Sequence, residues 1–443
     1  MRLVNGWKES DSVVIRIQYS ALAAQWSNCP GPAKGRKMRL LSFACLLSLL
    51  PVFSVAESVS DADTAFRKQL QLRLIQAQAG DVIELPAGKW MFNRSLSLNK
   101  SGVTVRGAGA DKTILSFKAQ SSGAEGLLIN AAEHVTIENL AIEDPKGDGL
   151  KANGCKDLIV RNVRVEWTGG PNEKNGAYGL YPVQSERVLI ENSVAIGASE
   201  AGIYAGQSKY IVIRDNRVAF NVAGMEIENS SYVDVYRNDV TGNAGGILVF
   251  NVPDVPVKDG RRTRVFDNHI YANNTENFAP KANLIFAVPA GTGFMVLANA
   301  EVEFFNNKVE DNQTANALLL AFMATGKPQN DTGFDPYPQQ LWIHHNEFSG
   351  GGDKPDPINI RVLRLGKLAA AGRLPDILWD GSVSRKGLES MQICIRDNGT
   401  AGFVNFDWRG KLGKSSSDLK PHDCELAPLP PVSWPGLDVA SAG

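Results

Sequence analysis

A short apolar alternation closed by an Asn recurs down the middle of this chain. It reads VTIENLAI (135–142), LIVRNVRV (158–165), VLIENSVAI (188–196), IVIRDNRV (211–218) and VDVYRNDV (233–240), and continues through TRVFDNHI, VEFFNNKV and LWIHHNEF to residue 348. Asn139, Asn162, Asn192, Asn216, Asn238, Asn268, Asn307 and Asn346 mark the units. Their spacing is about 22–24 residues, stretched where an insertion intervenes, which is the period of a solenoid. Strand-only units with Asn at the turn specify a parallel β-helix. Alternate side chains point inward and stack on the next coil about 4.8 Å away. Val135, Ile137, Leu158, Val160, Val188, Ile190, Ile211 and Ile213 supply one inward wall. Leu150, Leu180, Ile203, Met225 and Ile247 supply another, each preceded by a Gly that suits a turn with φ > 0 or a close backbone approach. The Asn column suits left-handed turn geometry and stacked amides.

The composition is that of an ordinary globular chain: 443 residues, 43% hydrophobic, 21% charged, formal net charge −1. It gives no sign of nucleic-acid binding. Residues 38–56 read as a signal peptide, with Lys37-Met38-Arg39 before the apolar run LLSFACLLSLLPVF and Ser54-Val55-Ala56 as a small-x-small cleavage site. The expectation is therefore translation from Met38, an upstream extension at 1–37, and a periplasmic or secreted mature protein from about Glu57. The apolar run is too short to span a bilayer. In an oxidising compartment Cys394 and Cys424, together beyond the repeats, are the natural disulfide pair. No Cys/His spacing resembles a zinc site, and neither a metal nor another cofactor is expected.

Residues 57–101 read as an N-terminal cap opened by an amphipathic helix over 61–79, with Phe66, Leu70 and Leu74 on one face. The repeat body covers 102–349. Residues 350–443 read as an irregular C-terminal cap whose tail after about 428 is mobile. Loops at 168–177, 251–262, 272–282 and 324–340 are rich in Gly, Pro and Asn, and loops of this kind wall a surface trough.

Stacking the Gly-started strands places Lys151, Tyr181, Tyr204, Glu226 and Leu248 in one outward column, with Glu228 and Phe250 two residues on. Gln207 and Asn229 end those strands, and Tyr178 precedes one of the glycines. Tyrosine offers a flat face to a sugar ring, and carboxylates and amides bind hydroxyls. Tyr181, Tyr204, Glu228, Gln207, Asn229 and Trp167 are therefore candidate sugar contacts. Glu226 and Glu228 point the same way about 6–7 Å apart, a spacing compatible with a carboxylate pair for glycoside acid–base chemistry.

The segments VEWTGGPNEKNGAYGLYPVQ (165–184), AGIYAGQS (201–208), AGMEIENS (223–230) and GGILVFNVP (245–253) resemble a family of exported bacterial parallel β-helix repeat proteins. More broadly the chain is similar to the right-handed β-helix superfamily of pectate lyases, polysaccharide lyases and mannuronan C5-epimerases. The epimerases carry Tyr-Gly-Phe-Asp-Pro-His on such a strand; here the matching stretch is Tyr178-Gly179-Leu180-Tyr181-Pro182-Val183. The Tyr, Gly and Pro match, while Tyr181 and Val183 take the Asp and His positions. The resemblance implies a proton-transfer role for Tyr178, with Lys151 or Glu226 supplying the missing groups. The fold expected is one right-handed parallel β-helix of about nine or ten coils. The function expected is an exported protein that binds, and with a working carboxylate pair processes, a polysaccharide or oligosaccharide. The alternative is a non-catalytic scaffold or accessory protein acting with an exported protein partner, for which Leu248 and Phe250 would be the exposed apolar face.

Overall fold

The computed structural model describes residues 59–356 and 372–437; the expected leader and upstream extension lie outside the described residues. Apolar alternation becomes three strands per coil. One coil runs Glu186–Glu191, Val194–Ile196 and Ala201–Gly206; the next runs Lys209–Arg214, Arg217–Ala219 and Ala223–Glu228. Each strand pairs in parallel with its counterpart one coil on. Among the described residues one face carries eleven strands, and the other two faces join into a sheet of nineteen. The interior is apolar: Val188, Ile190, Ile203, Ile211, Ile213, Met225 and Ile247 are fully buried, and Phe294 stacks on Phe304 at 3.9 Å. The column glycines answer to close approach, not to a left-handed turn. A Cβ on Gly149 would lie 2.6 Å from the Gly179 carbonyl oxygen, and one on Gly246 2.2 Å from that of Gly293.

The Asn column divides into two roles. Asn139, Asn162 and Asn192 are left-handed, with φ of 50–61°. From Asn216 onward the left-handed residue is the one before, such as Asp215, Arg237 or Asp267. The Asn itself is buried in a ladder. Asn216 N–H donates to the Asn238 side chain, Asn238 to Asn268, Asn268 to Asn307, Asn307 to Asn346, and Asn346 to Asn398. A second ladder, Asn221–Asn243–Asn273–Asn312, runs at the following corner.

Both ends differ from expectation. Strand Val82–Glu84 already pairs with Thr104–Arg106, so coiling starts before residue 102. The helix Asp61–Gln76, closed by a Ser60–Asp63 capping box, covers that first edge. Leu70 and Leu74 are buried against it. Gln71 both donates to and accepts from the Ser97 backbone, and Asp63 accepts from Met91 N–H. These side chains satisfy the backbone groups an open edge would leave unpaired. At the other end coiling passes residue 349: Ala315–Leu320 pairs with Ile377–Trp379, which pairs with Phe403–Asn405, and Gln339–His344 pairs with Ile393–Arg396. A disulfide joins Cys394 on that last strand to Cys424.

Residues 429–437 form a packed strap, not the loose tail expected after about 428. Leu429 N–H donates to Glu303, and Val432 N–H to Asp234 at 3.1 Å. Val432 is buried among Leu189, Val212, Tyr236 and Phe266, an apolar row on the outer face of the large sheet that needs a cover. Val432→Asp would bury a carboxylate there, beside Asp234. It is expected to lower unfolding free energy by about 2–4 kcal/mol. A denaturation midpoint equal to that of the unsubstituted protein would show that the strap does not hold this face.

Candidate active site

The outer face of the eleven-stranded sheet carries the predicted column in register. Lys151 pairs with Tyr181, Tyr204 with Glu226, Glu226 with Leu248, and Glu228 with Phe250. These side chains do point away from the core, but most do not reach solvent. Tyr204, Glu226, Leu248 and Phe250 are 4%, 2%, 0% and 6% exposed. The physical reason is that the insertions fold across the strands instead of walling one side. Ile285 and Val288 of one insertion, Phe322 and Phe334 of another, and Phe406 near the C-terminus pack with Tyr204, Leu248 and Phe250 into a second apolar cluster. The open trough is thus a roofed cavity of about 580 Å³. Leu248 and Phe250 offer no exposed face to a protein partner.

One end of this cavity is acidic. Tyr178, Glu200, Glu226 and Glu228 line it, and Asn283 of the roof completes it. The Tyr178 hydroxyl donates to Glu200 Oε2 at 2.5 Å, and the Asn283 amide donates to Glu200 Oε1. The Tyr204 hydroxyl lies near Glu228 and favours its charged form. Glu226 is different: its Oε1 is buried with no partner. Burial, together with the neighbouring Glu200 and Glu228, raises its pKa well above the ordinary carboxyl range. Glu228 is pushed up to about 7, chiefly by burial. Glu200 is raised by burial and lowered in part by its two donors. The Tyr178 phenol is raised by burial and by Glu226 and Glu200, so it remains a hydroxyl. A neutral carboxylic acid beside carboxyls that ionise more readily is the arrangement from which one group donates a proton and another accepts one.

Tyr178, Tyr181 and Tyr204 form a triangle of rings with centroids 4.5–4.8 Å apart. Only Tyr178 reaches the cavity. Lys151 stands behind Tyr181, its ammonium 4.8 Å from that ring centroid and 3.5 Å from Asp148. Burial lifts Asp148 to about 6 and Tyr181 to about 12. Of the residues singled out in the sequence, the cavity takes in Tyr178, Glu226, Glu228 and Phe250; Lys151, Tyr181, Tyr204, Gln207, Asn229, Trp167 and Leu248 stand outside its lining.

Two of these have other work. Trp167 is 4% exposed in the inner core, its indole N–H donating to the Pro145 carbonyl at 2.8 Å, because the loop at 168–177 turns it inward. Asn229 is fully buried and braces an insertion, donating to Val252 O and accepting from Val252 N–H. Gln207 occupies a left-handed turn, φ 51°, beside the Glu228 carbonyl. Glu200 and Asn283 were missed. Glu200 stands at the rung position held by Ala177 and Val222 on its neighbours, since Tyr178, Ala201 and Ala223 pair in register. A charge in a small-residue column is the signal that pointed to it.

Residues 101–257 and 173–322 match the family model described as "Right handed beta helix region". The chain is similar to the preneck appendage protein of Bacillus phage PZA, 27% identical over 239 residues, which are 45% of this chain and 27% of that protein. The chain thus spans about a quarter of the length of that curated relative. Among solved structures it is similar to the A-module of the Azotobacter vinelandii mannuronan C-5 epimerase AlgE4, at TM-score 0.48 and 15% identity, covering 78% of this chain and 92% of that one. It is also similar to an alginate lyase from Paenibacillus sp. str. FPU-7, at TM-score 0.44 and 16% identity, covering 64% and 92%.

Proposed function

The chain belongs to the right-handed β-helix family, and we propose that it is an exported protein that binds a saccharide in the roofed cavity and acts on it by acid–base chemistry. The observation that carries this reading is Glu226: a fully buried carboxyl with an unpartnered oxygen, at the cavity end it shares with Glu200 and Glu228. A structural carboxyl at such depth would be paired, because burying it unpaired costs stability. Glu226 as proton donor and Glu228 as acceptor supply the two roles that glycoside cleavage or sugar proton abstraction requires. The Tyr178 hydroxyl and the Asn283 amide hold Glu200 fixed beside them. A roofed cavity favours a chain end or a short segment of glycan over a long chain lying in an open groove. Export rests on the leader-like residues 38–56 and on the paired Cys394 and Cys424.

The test is a panel of uronate-containing and neutral glycans, read for binding and for unsaturated or shortened products. At least one glycan is expected to bind and to be converted. Binding without conversion would leave a carbohydrate-binding protein with no acid–base role, and no binding by any member of the panel would remove the saccharide reading.

A further inference from the structure

The cavity changes character within one rung. Along the sheet Glu226 is followed by Leu248, Met295 and Leu318, and Glu228 by Phe250, Leu297 and Leu320. Phe322, Phe406 and Trp408 line the same cavity and pack with those rows in one apolar cluster. From the Glu228 rung to the Leu320 rung is about 14 Å, three steps of the β-helix. The acidic end can match sugar hydroxyls; the two sheet rows cannot, and the polar lining beyond that end, Asp254, Thr325 and Lys327, belongs to the covering insertions and not to the rows. A hydroxyl desolvated against leucine, methionine and phenylalanine without a partner loses on the order of 1–3 kcal/mol. A second sugar ring does not belong there, whereas an apolar substituent gains from the same surface.

We propose that the ligand is an amphiphilic saccharide: a sugar at Glu200, Glu226 and Glu228, carrying one acyl chain that lies along Phe250, Leu297 and Leu320. This rests on the saccharide reading above and names its substrate class as acylated sugars. An aliphatic chain fits better than an aromatic group because the lining is two parallel apolar rows running along the axis, aliphatic beyond Phe250, a shape longer than one ring. The volume, about 580 Å³, lies in the range of sites that enclose a whole small ligand.

The experiment is calorimetric titration of the intact protein with methyl, butyl, hexyl and octyl glucosides below their micelle concentrations, with the matching n-alkanols alongside. The glucoside Kd is expected to fall roughly two- to fourfold per added methylene until the chamber is full. Leu320→Gln is expected to flatten that dependence. A glucoside series of uniform affinity overturns the acyl chamber and leaves the saccharide reading standing. Alkanols that bind as tightly as glucosides of equal chain length overturn the sugar end, and the amphiphile with it.

Discussion

Glu226→Gln is expected to lower turnover on a converted glycan by about 10²- to 10⁴-fold, the usual contribution of a positioned proton donor, while stabilising the protein at neutral pH. The two effects have one cause. The Glu226 carboxyl is held neutral by burial and by Glu200 and Glu228, so its folded-state pKa is well above the 4.5 of a free glutamate. The folded protein keeps a proton that the unfolded chain releases. Stability from this group is fully present below the unfolded pKa and declines as pH rises toward the folded one, by on the order of 1.4 kcal/mol per pH unit. Glu228, at about 7, adds a decline over the window from 4.5 to 7. Glutamine has the shape of the neutral acid and no proton to lose. Thermal melts of the two proteins should therefore be close at pH 4 and separate by pH 7.5, with the variant melting higher. An unchanged rate would take Glu226 out of the chemistry, and a variant that melts lower at both pH values would mean that Glu226 is a partnered structural group.

The direction of a side chain was legible in the sequence; its burial was not. Period two placed Ile203 and Met225 inside and Tyr204 and Glu226 outside, and they lie so. Direction is a local property of a strand. Burial of the outer face is not, because it depends on where insertions with no periodicity come to rest. Ile285, Val288 and Phe322 gave no sign that they would roof Tyr204 and Phe250. The Asn turns were legible, but the left-handed position and the ladder position lie one residue apart, and a motif with Asp-Asn, Arg-Asn or Asn-Asn at the corner hides which is which. The second ladder had a usable signal. Asn221, Asn243, Asn273 and Asn312 each follow a first-ladder Asn by five residues, through insertions of different length. The last coil had a usable signal as well: Ile393–Arg396 alternates and is followed by Asp397-Asn398, the end of the first ladder, whereas Ile377–Trp379 lacks the Gly that precedes Leu150, Leu180, Ile203, Met225 and Ile247 in its column.

Asn238→Ala is expected to destabilise the protein by about 3–5 kcal/mol, because it unties several buried hydrogen bonds with one substitution. The Asn238 carboxamide makes four bonds at once. Its oxygen accepts from Asn216 N–H at 3.0 Å and from the Asn216 side chain at 3.1 Å; its nitrogen donates to Ile213 O at 3.0 Å and to the Asn268 side chain at 2.9 Å. Alanine leaves the Asn216 N–H and the Ile213 carbonyl without these partners at a corner where Asn216, Asn238 and Asn268 are each 2% exposed, and water cannot replace them. A void the size of a carboxamide adds to the loss. Asn192→Ala is the control: it removes the same residue type from a repeat corner, but from an exposed left-handed position, where the cost is about 1 kcal/mol of backbone preference. Coils in a solenoid are stabilised by their neighbours, so the broken rung should also weaken coupling between the coils on either side. Hydrogen exchange should show the amides of Ile211–Ile213 and Val233–Val235 losing protection together. Equal midpoints for Asn192→Ala and Asn238→Ala would mean that the amide ladder adds nothing beyond turn geometry, and that the stacked apolar columns alone hold the coils in register.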